Sequence, residues 1–402
     1  MQKSRIVIKR LKVYTPIILF ILGWWVFAFK EFTPAGSQRL QRLKSSHQNE
    51  IQLNDLIPRT SRQNIQQALS GDVSLMTALI AAWDIDAQLL YSKGFAAKRL
   101  PSGLFLKSQQ LGRLLASSRQ RAESRPHRSF LPQTYMAASF LLALTTPGEI
   151  AALPPSLRDQ SQMYPPELTN QIPFDIDREN SEKIYLKNPE IAFVAHYSHP
   201  TTVEALQNQG IAIHTMNDPL SINDISLELV SVGSLIGRKD ESELLAIFIE
   251  SAMLHLDNTL AVLTARYQEK HPSLPKILFL YYYKHFLVPT KKNLTGQLLD
   301  RLGDFDASLA FAAKTGNNEG WTVPIDKENL FRIDPDFLII ADKDGEASEM
   351  GLHKENDLQQ LRAITTQVYF VDEAVQQSPS QYLVLAYWDI VDIIADICDE
   401  VR

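Results

Sequence analysis

RKDESELLAIFIESAMLHLDNTLAVLTARYQEKHP, residues 238–272, is the stretch that decides the fold. From about Lys239 to Lys270 its apolar residues recur at spacings of three and four, the period of an α-helix. Gly237 precedes it, and Pro272 and Pro275 end it, since proline lacks the amide hydrogen a helix needs. Roughly thirty residues rising 1.5 Å each make a rod of about 45 Å, long for a crossover helix. The rod divides the chain around it into two halves, 125–237 and 273–402.

Both halves share one rhythm. Short apolar runs, each followed within a few residues by a helical pattern, occur at Ser129–Leu131, Ile150–Leu153, Ile191–Ala195, Ile211–Thr215, Lys276–Tyr283, Phe337–Ala341 and Val368–Val371. Strands alternating with helices predict parallel sheets flanked by helices. The expected fold class is therefore α/β: two lobes joined by one long linking helix. In such sheets ligands bind outside the carboxyl ends of the strands. In IAFVAHYSHPTTVEALQNQGIAIHTM, residues 191–216, an apolar strand runs directly into His196, Tyr197, Ser198, His199 and Pro200, at that ligand-facing end.

Upstream the character changes. Residues 1–36 carry net charge +5, residues 37–128 net +8 and residues 129–402 net −19, so a basic front joins an acidic body. The basic part lacks dense clusters interleaved with aromatics, and nucleic acid is not an expected partner. Lys3, Arg5, Lys9, Arg10 and Lys12 precede an uncharged apolar run, Val13 to Phe29, with Trp24 and Trp25 near its end. That is the pattern of a secretory signal or of a short membrane anchor. Either reading keeps the leading charges inside and sends the body out, to the periplasm, where residues 13–29 could anchor it in the inner membrane. Residues 37–124 read as a basic helical segment, with one helix through VSLMTALIAAWDIDAQLLY and a second from Leu106 to about Arg121. A stalk or packing collar suits it. A single cysteine, Cys398, excludes internal disulfides and cysteine-rich zinc sites.

From about residue 125 onward the ordered segments resemble those of a known family. SFLPQTYMAASFLLALTTPGEIAAL is similar to an opening strand, a Ser-Pro-Ser-like turn and a helix. NPEIAFVAHYSHPTTVEALQNQGIAI is similar to a Lys-Pro-Asp strand followed by Glu-x-Leu-x-x-x-Gly-Ile-Pro-Val. ISLELVSVGSLIGRKDESELL resembles the approach to a linking helix, and LLDRLGDFDASLAFAAKTGNNEGWTVPIDKENLFRIDPDFLII resembles a second-lobe run ending in Asn/Asp-Pro-Asp. The family is that of periplasmic substrate-binding proteins with a helical backbone, which deliver cobalamin, ferric siderophores and heme to ABC importers. The chain departs from it at Leu131-Pro132-Gln133-Thr134-Tyr135, which replaces the Ser-Pro-Ser turn, and in segment 37–124, which lies outside the pattern.

The resemblance implies a metal-chelate ligand in an interlobe cleft, an ABC permease as partner, no cofactor and no catalysis. The ligand-contact candidates are His196, Tyr197 and His199 after one strand, Tyr283, Lys284 and His285 after another, Tyr135 in the first turn and Trp321 in GNNEGWTVP, with Asp342 behind them. Imidazole and phenolate ligate iron, and imidazole also ligates a macrocycle's metal. Lys284 offers a point charge to a carboxylate. Each has a plain alternative in aromatic core packing or a solvated loop, and the metal itself is left open. Strand alternation puts Tyr281 and Tyr283 on one face and Tyr282 on the other. By the same resemblance, Glu204 in the first lobe and Glu346 or Glu349 in the second would dock onto permease arginines. The sequence shows no phosphate-binding glycine loop, no nucleophile elbow and no His-Glu-x-x-His. Two other functions stay open: a membrane-tethered sensor or assembly protein using the same body, and an enzyme on the same scaffold.

Overall fold

The computed structural model describes residues 61–119, 128–155, 157–177, 181–315, 320–343, 363 and 367–400. The apolar run 13–29, Glu346 and Glu349 lie outside them.

Among the described residues three helices come first: α1 (Arg62–Leu69), α2 (Val73–Ser92) and α3 (Ser102–Arg119). Ser61 and Asp72 cap the first two by accepting amide hydrogens from Asn64 (3.2 Å) and Leu75 (3.0 Å). The link between them turns at Gly71, whose φ of +98° is left-handed. A Cβ there would lie 2.1 Å from the carbonyl oxygen of Ala143, so glycine alone allows this approach.

The first lobe holds β1 (Phe130–Pro132), α4 (Tyr135–Leu144), β2 (Ile191–Ala195), α5 (Pro200–Asn208), β3 (Ala212–Met216) and α6 (Ile222–Leu235). Its strands form a parallel sheet in the order β1-β2-β3, with Phe130 opposite Ile191 and Ile191 opposite Ala212. Thr134, His199 and Ser221 cap the helices that leave the strand ends. Leu131, Ala192, Val194, Leu206 and Ile211 fill the core on one face. Ile150–Leu153, expected as a strand, makes only isolated bridges, Phe130 to Ile150 and Leu153 to Asp175. Pro154 and Pro155 follow at once and bring no amide hydrogens to a ladder. The four residues are nonetheless buried, so their apolarity records burial rather than pairing.

The linking helix is α7 (Lys239–Lys270), 32 residues long. At its start Arg238 pairs with the shielded carboxylate of Glu149 at 2.9 Å. Buried residues such as Leu244, Phe248, Ala252, Leu256 and Leu263 line it because partners surround it. Trp83 of α2 stacks on Phe248 (centroids 5.4 Å apart) and His255 (4.9 Å). The Asn258 side chain bonds both the N–H and the C=O of Lys98 at 2.8 Å. Helices α2 and α7 are long and apolar enough to cross a membrane, yet 50% and 72% of their apolar windows are buried inside the fold. Mutual packing accounts for that apolarity.

The second lobe contains β4 (Ile277–Tyr282), β5 (Phe286–Pro289), α8 (Leu294–Asp300), α9 (Ser308–Lys314), β6 (Thr322–Pro324), α10 (Lys327–Ile333), β7 (Phe337–Asp342), β8 (Val368–Asp372), α11 (Glu373–Gln376) and α12 (Leu383–Glu400). Its sheet runs β6-β5-β4-β7-β8. β4, β7 and β8 are parallel, as expected, and β5 and β6 add an antiparallel edge. α12 returns to α7, where Tyr387 donates to Asp257 (2.8 Å) and Asp257 pairs with Arg301 (2.7 Å).

Candidate functional site

Tyr135, His196, Tyr197, His199, Tyr283, Lys284, His285 and Asp342 fall at or just beyond the carboxyl ends of β1, β2, β4 and β7, whereas Trp321 falls at the amino end of β6, away from the Tyr283 hairpin. After β2 the chain turns sharply: Ser198 N–H donates to Ala195 O, and Ser198 Oγ accepts the Ala195 N–H, both at 3.0 Å. This projects His196 and Tyr197 outward, with their rings edge to face at 5.1 Å. His196 Nδ1 lies 3.3 Å from Asp218 Oδ2. His199 is turned to a structural task. Its Nδ1 accepts the Thr201 N–H at the start of α5 (3.4 Å) and lies 2.8 Å from Thr201 Oγ1. Only its other ring nitrogen is left for a ligand.

Tyr135 opens α4 and donates its hydroxyl hydrogen to Pro155 O at 2.5 Å. Burial, helped by the charge of Asp159, holds its phenol above the ordinary value.

In the second lobe Tyr282 pairs with Phe286 across a hairpin whose loop is Tyr283-Lys284-His285. The Tyr283 N–H donates to His285 O at 3.0 Å, and Lys284 takes a left-handed φ of +62°. All three loop side chains face solvent. The Tyr283 hydroxyl donates to Glu373 Oε1, and Gln377 Nε2 donates to both groups, at 3.0 Å to the carboxylate. Glu373 Oε2 is buried without a hydrogen-bond partner. Burial raises the Tyr283 phenol, and the Glu373 carboxylate beside it raises it further. Burial likewise raises Glu373, against the opposing hydrogen bond from Tyr283. Tyr281, on the same face as Tyr283, is core: its hydroxyl donates to Thr295 Oγ1 at 2.6 Å.

Trp321 precedes β6 and is 53% exposed, and its carbonyl accepts the Thr290 N–H at 3.0 Å. Asp342 ends β7 opposite Asp372 and is buried. Glu204 is exposed on α5.

The fold therefore assembles two groups, His196 with Tyr197 and Tyr283 with Glu373 and Gln377. Glu373 and Gln377 carry no motif, and only the fold reveals them. No set of three metal-ligating side chains occurs among the described residues. A separate cavity of about 840 Å³ lies where Ser221 and Asn223, Asp257 and Asn258 of α7, and Gln297 and Arg301 meet, and none of the candidate residues lines it.

No protein-family model matches the sequence, and no curated protein matches it. Solved structures do. A periplasmic heme-binding protein from Roseiflexus sp. RS-1, in apo form, superposes with a TM-score of 0.51 at 19% identity, over 68% of this chain and 100% of its own. A possible iron-binding, periplasmic solute-binding protein from Staphylococcus epidermidis gives 0.51 at 17%, over 67% and 98%. A periplasmic heme-binding protein from Pseudomonas aeruginosa gives 0.51 at 15%, over 67% and 93%. This chain has the fold of the helical-backbone periplasmic binding proteins. Against the Roseiflexus protein, which is matched along its whole length, about a third of this binding-protein-fold chain has no counterpart.

Proposed function

We propose that this protein is a periplasmic solute-binding protein that captures a metal chelate between its lobes and passes it to an ABC permease. The chelate classes are ferric siderophore, heme and cobalamin. The observation that carries this reading is the placement of His196, Tyr197, Tyr283, Lys284 and His285 at the carboxyl ends of β2 and β4, one in each lobe flanking α7. Aromatic rings give broad apolar contact with few rotors to freeze, which suits flat macrocycles. Lys284 adds a cation for a ligand acid, and Tyr283, held neutral by burial and by Glu373, acts as a hydrogen-bonding group. Residues 13–29 would send this body across the inner membrane or tether it there, and Glu204 and Glu346 would meet the permease. In this role the protein has no turnover of its own.

Thermal unfolding of the full chain against heme, cobalamins, ferric siderophores and free divalent metals tests the reading. A ligand at a hundred times its dissociation constant adds about 2.7 kcal/mol, a shift on the order of 2–6 °C for a large domain. One stabilising chelate is the expected result. Silence from a well-folded protein across the panel would sink the transport reading. It would favour the tethered sensor or assembly protein, to which the helices ahead of the first lobe also lend support.

A further inference from the structure

Where the two lobes meet, polar groups are set among buried apolar and aromatic side chains. Gln381 Nε2, at the approach to α12, donates to Ser139 O of α4 at 2.9 Å and to Leu69 O of α1 at 3.3 Å. Tyr382 packs edge to face on Tyr164 of the first lobe at 5.3 Å. Tyr164 bonds Ser139 (2.5 Å), and Tyr382 bonds Ser70 (3.0 Å). Gln381 is 1% exposed, yet its Oε1 has no hydrogen-bond partner. The unpaired oxygen of Gln381 weakens this contact.

Helix α1 crosses this seam. On the first-lobe side, Gln66 Nε2 donates to Met163 O (3.4 Å) and Arg62 Nη1 to Gln162 Oε1 (3.3 Å). On the second-lobe side, the same guanidinium donates from Nε and Nη2 to the two carboxylate oxygens of Asp389 in α12, at 2.7 and 3.3 Å. This is the fork-to-fork geometry that makes arginine–carboxylate pairs directional. The pair is mostly shielded from water, at 24% and 15% side-chain exposure. Behind it, α1 is pinned where Gly71 meets Ala143 of α4. One side chain thus touches both lobes, and the helix that carries it is fixed to the first.

We propose that α1 is an interlobe strap, in which Arg62 ties the first lobe to the C-terminal helix of the second and sets the angle between them. The strap acts on whatever the cleft binds, so it does not depend on the identity of the ligand.

The test is a dipolar distance measurement on the full chain, with spin labels at Leu186→Cys and Glu328→Cys in a Cys398→Ser background. Both label sites are exposed, one in each lobe. The parent should give one narrow distance. Arg62→Ala should at least double its width with the helical content unchanged, and the exchanged pair Arg62→Asp with Asp389→Arg should narrow it again. Equal widths in the parent and Arg62→Ala would overturn the proposal. If Arg62→Ala does not fold, Arg62→Gln removes the fork to Asp389 while keeping a donor for Gln162, and the same two outcomes apply.

Discussion

Tyr283 donates its phenolic hydrogen to the carboxylate of Glu373, 90 positions further along the chain. The bond joins the carboxyl ends of β4 and β8 and fixes the protonation of both partners. Burial and the neighbouring negative charge both disfavour the phenolate, so Tyr283 would meet a ligand as a neutral hydroxyl. The ultraviolet titration difference between the parent and Tyr283→Phe should show no phenolate step up to the ordinary value of 10.0. A step below that value would mean that Tyr283 can ligate iron as an anion.

Glu373 gives a pH signature. Burial raises its carboxyl above the ordinary 4.5. A carboxyl raised by folding supports the fold fully below its unfolded value and loses that support as pH climbs through the folded value. Glu373→Gln does not titrate. The melting temperature of the parent minus that of Glu373→Gln should therefore be greater at pH 4 than at pH 8. The opposite order would show that the folded state lowers this carboxyl.

Trp83 is 3% exposed and stacks on Phe248 and His255 of α7, so it ties the leading helices to α7. Trp83→Ala should cost about 3–5 kcal/mol in urea unfolding. A loss under 1 kcal/mol would mean that the leading helices contribute little to the body's stability.

Gly71→Ala should destabilise the fold by at least ~1 kcal/mol, the cost of a left-handed alanine, before any clash with Ala143 is counted. Denaturant midpoints check it, and an unchanged midpoint would show that the link relaxes freely.

For the chelate that wins the thermal panel, His196→Ala should weaken binding about tenfold, or ~1.4 kcal/mol, by calorimetry. Glu204→Ala should leave that affinity unchanged, because Glu204 lies on the exposed side of α5. Equal effects from the two would remove His196 from the site.

Much of this architecture was legible before any coordinates. α7 announced itself because 32 residues give a helical period ample room to repeat. β2 was bounded correctly because five apolar residues end abruptly in polar ones. β5 and β6, of four and three residues, are too short to show a period and each ends in proline, so they hid. Ile150–Leu153 misled because burial and strand pairing write the same apolar signature. At the site, the sequence marked Tyr283 by its place at a strand end. It could not mark Glu373 or Gln377, whose role exists only through a partner 90 or more positions away.

The ion pair of Arg62 with Asp389 spans 327 positions. Helix α1 lies ahead of both lobes in sequence, and the α12 surface that completes its packing lies behind both sheets. Contacts this distant in sequence form slowly. Docking of the eighteen-residue α12 onto α1 is therefore expected late in folding, and until then α1 keeps its apolar face, Ile65, Ala68 and Leu69, in water.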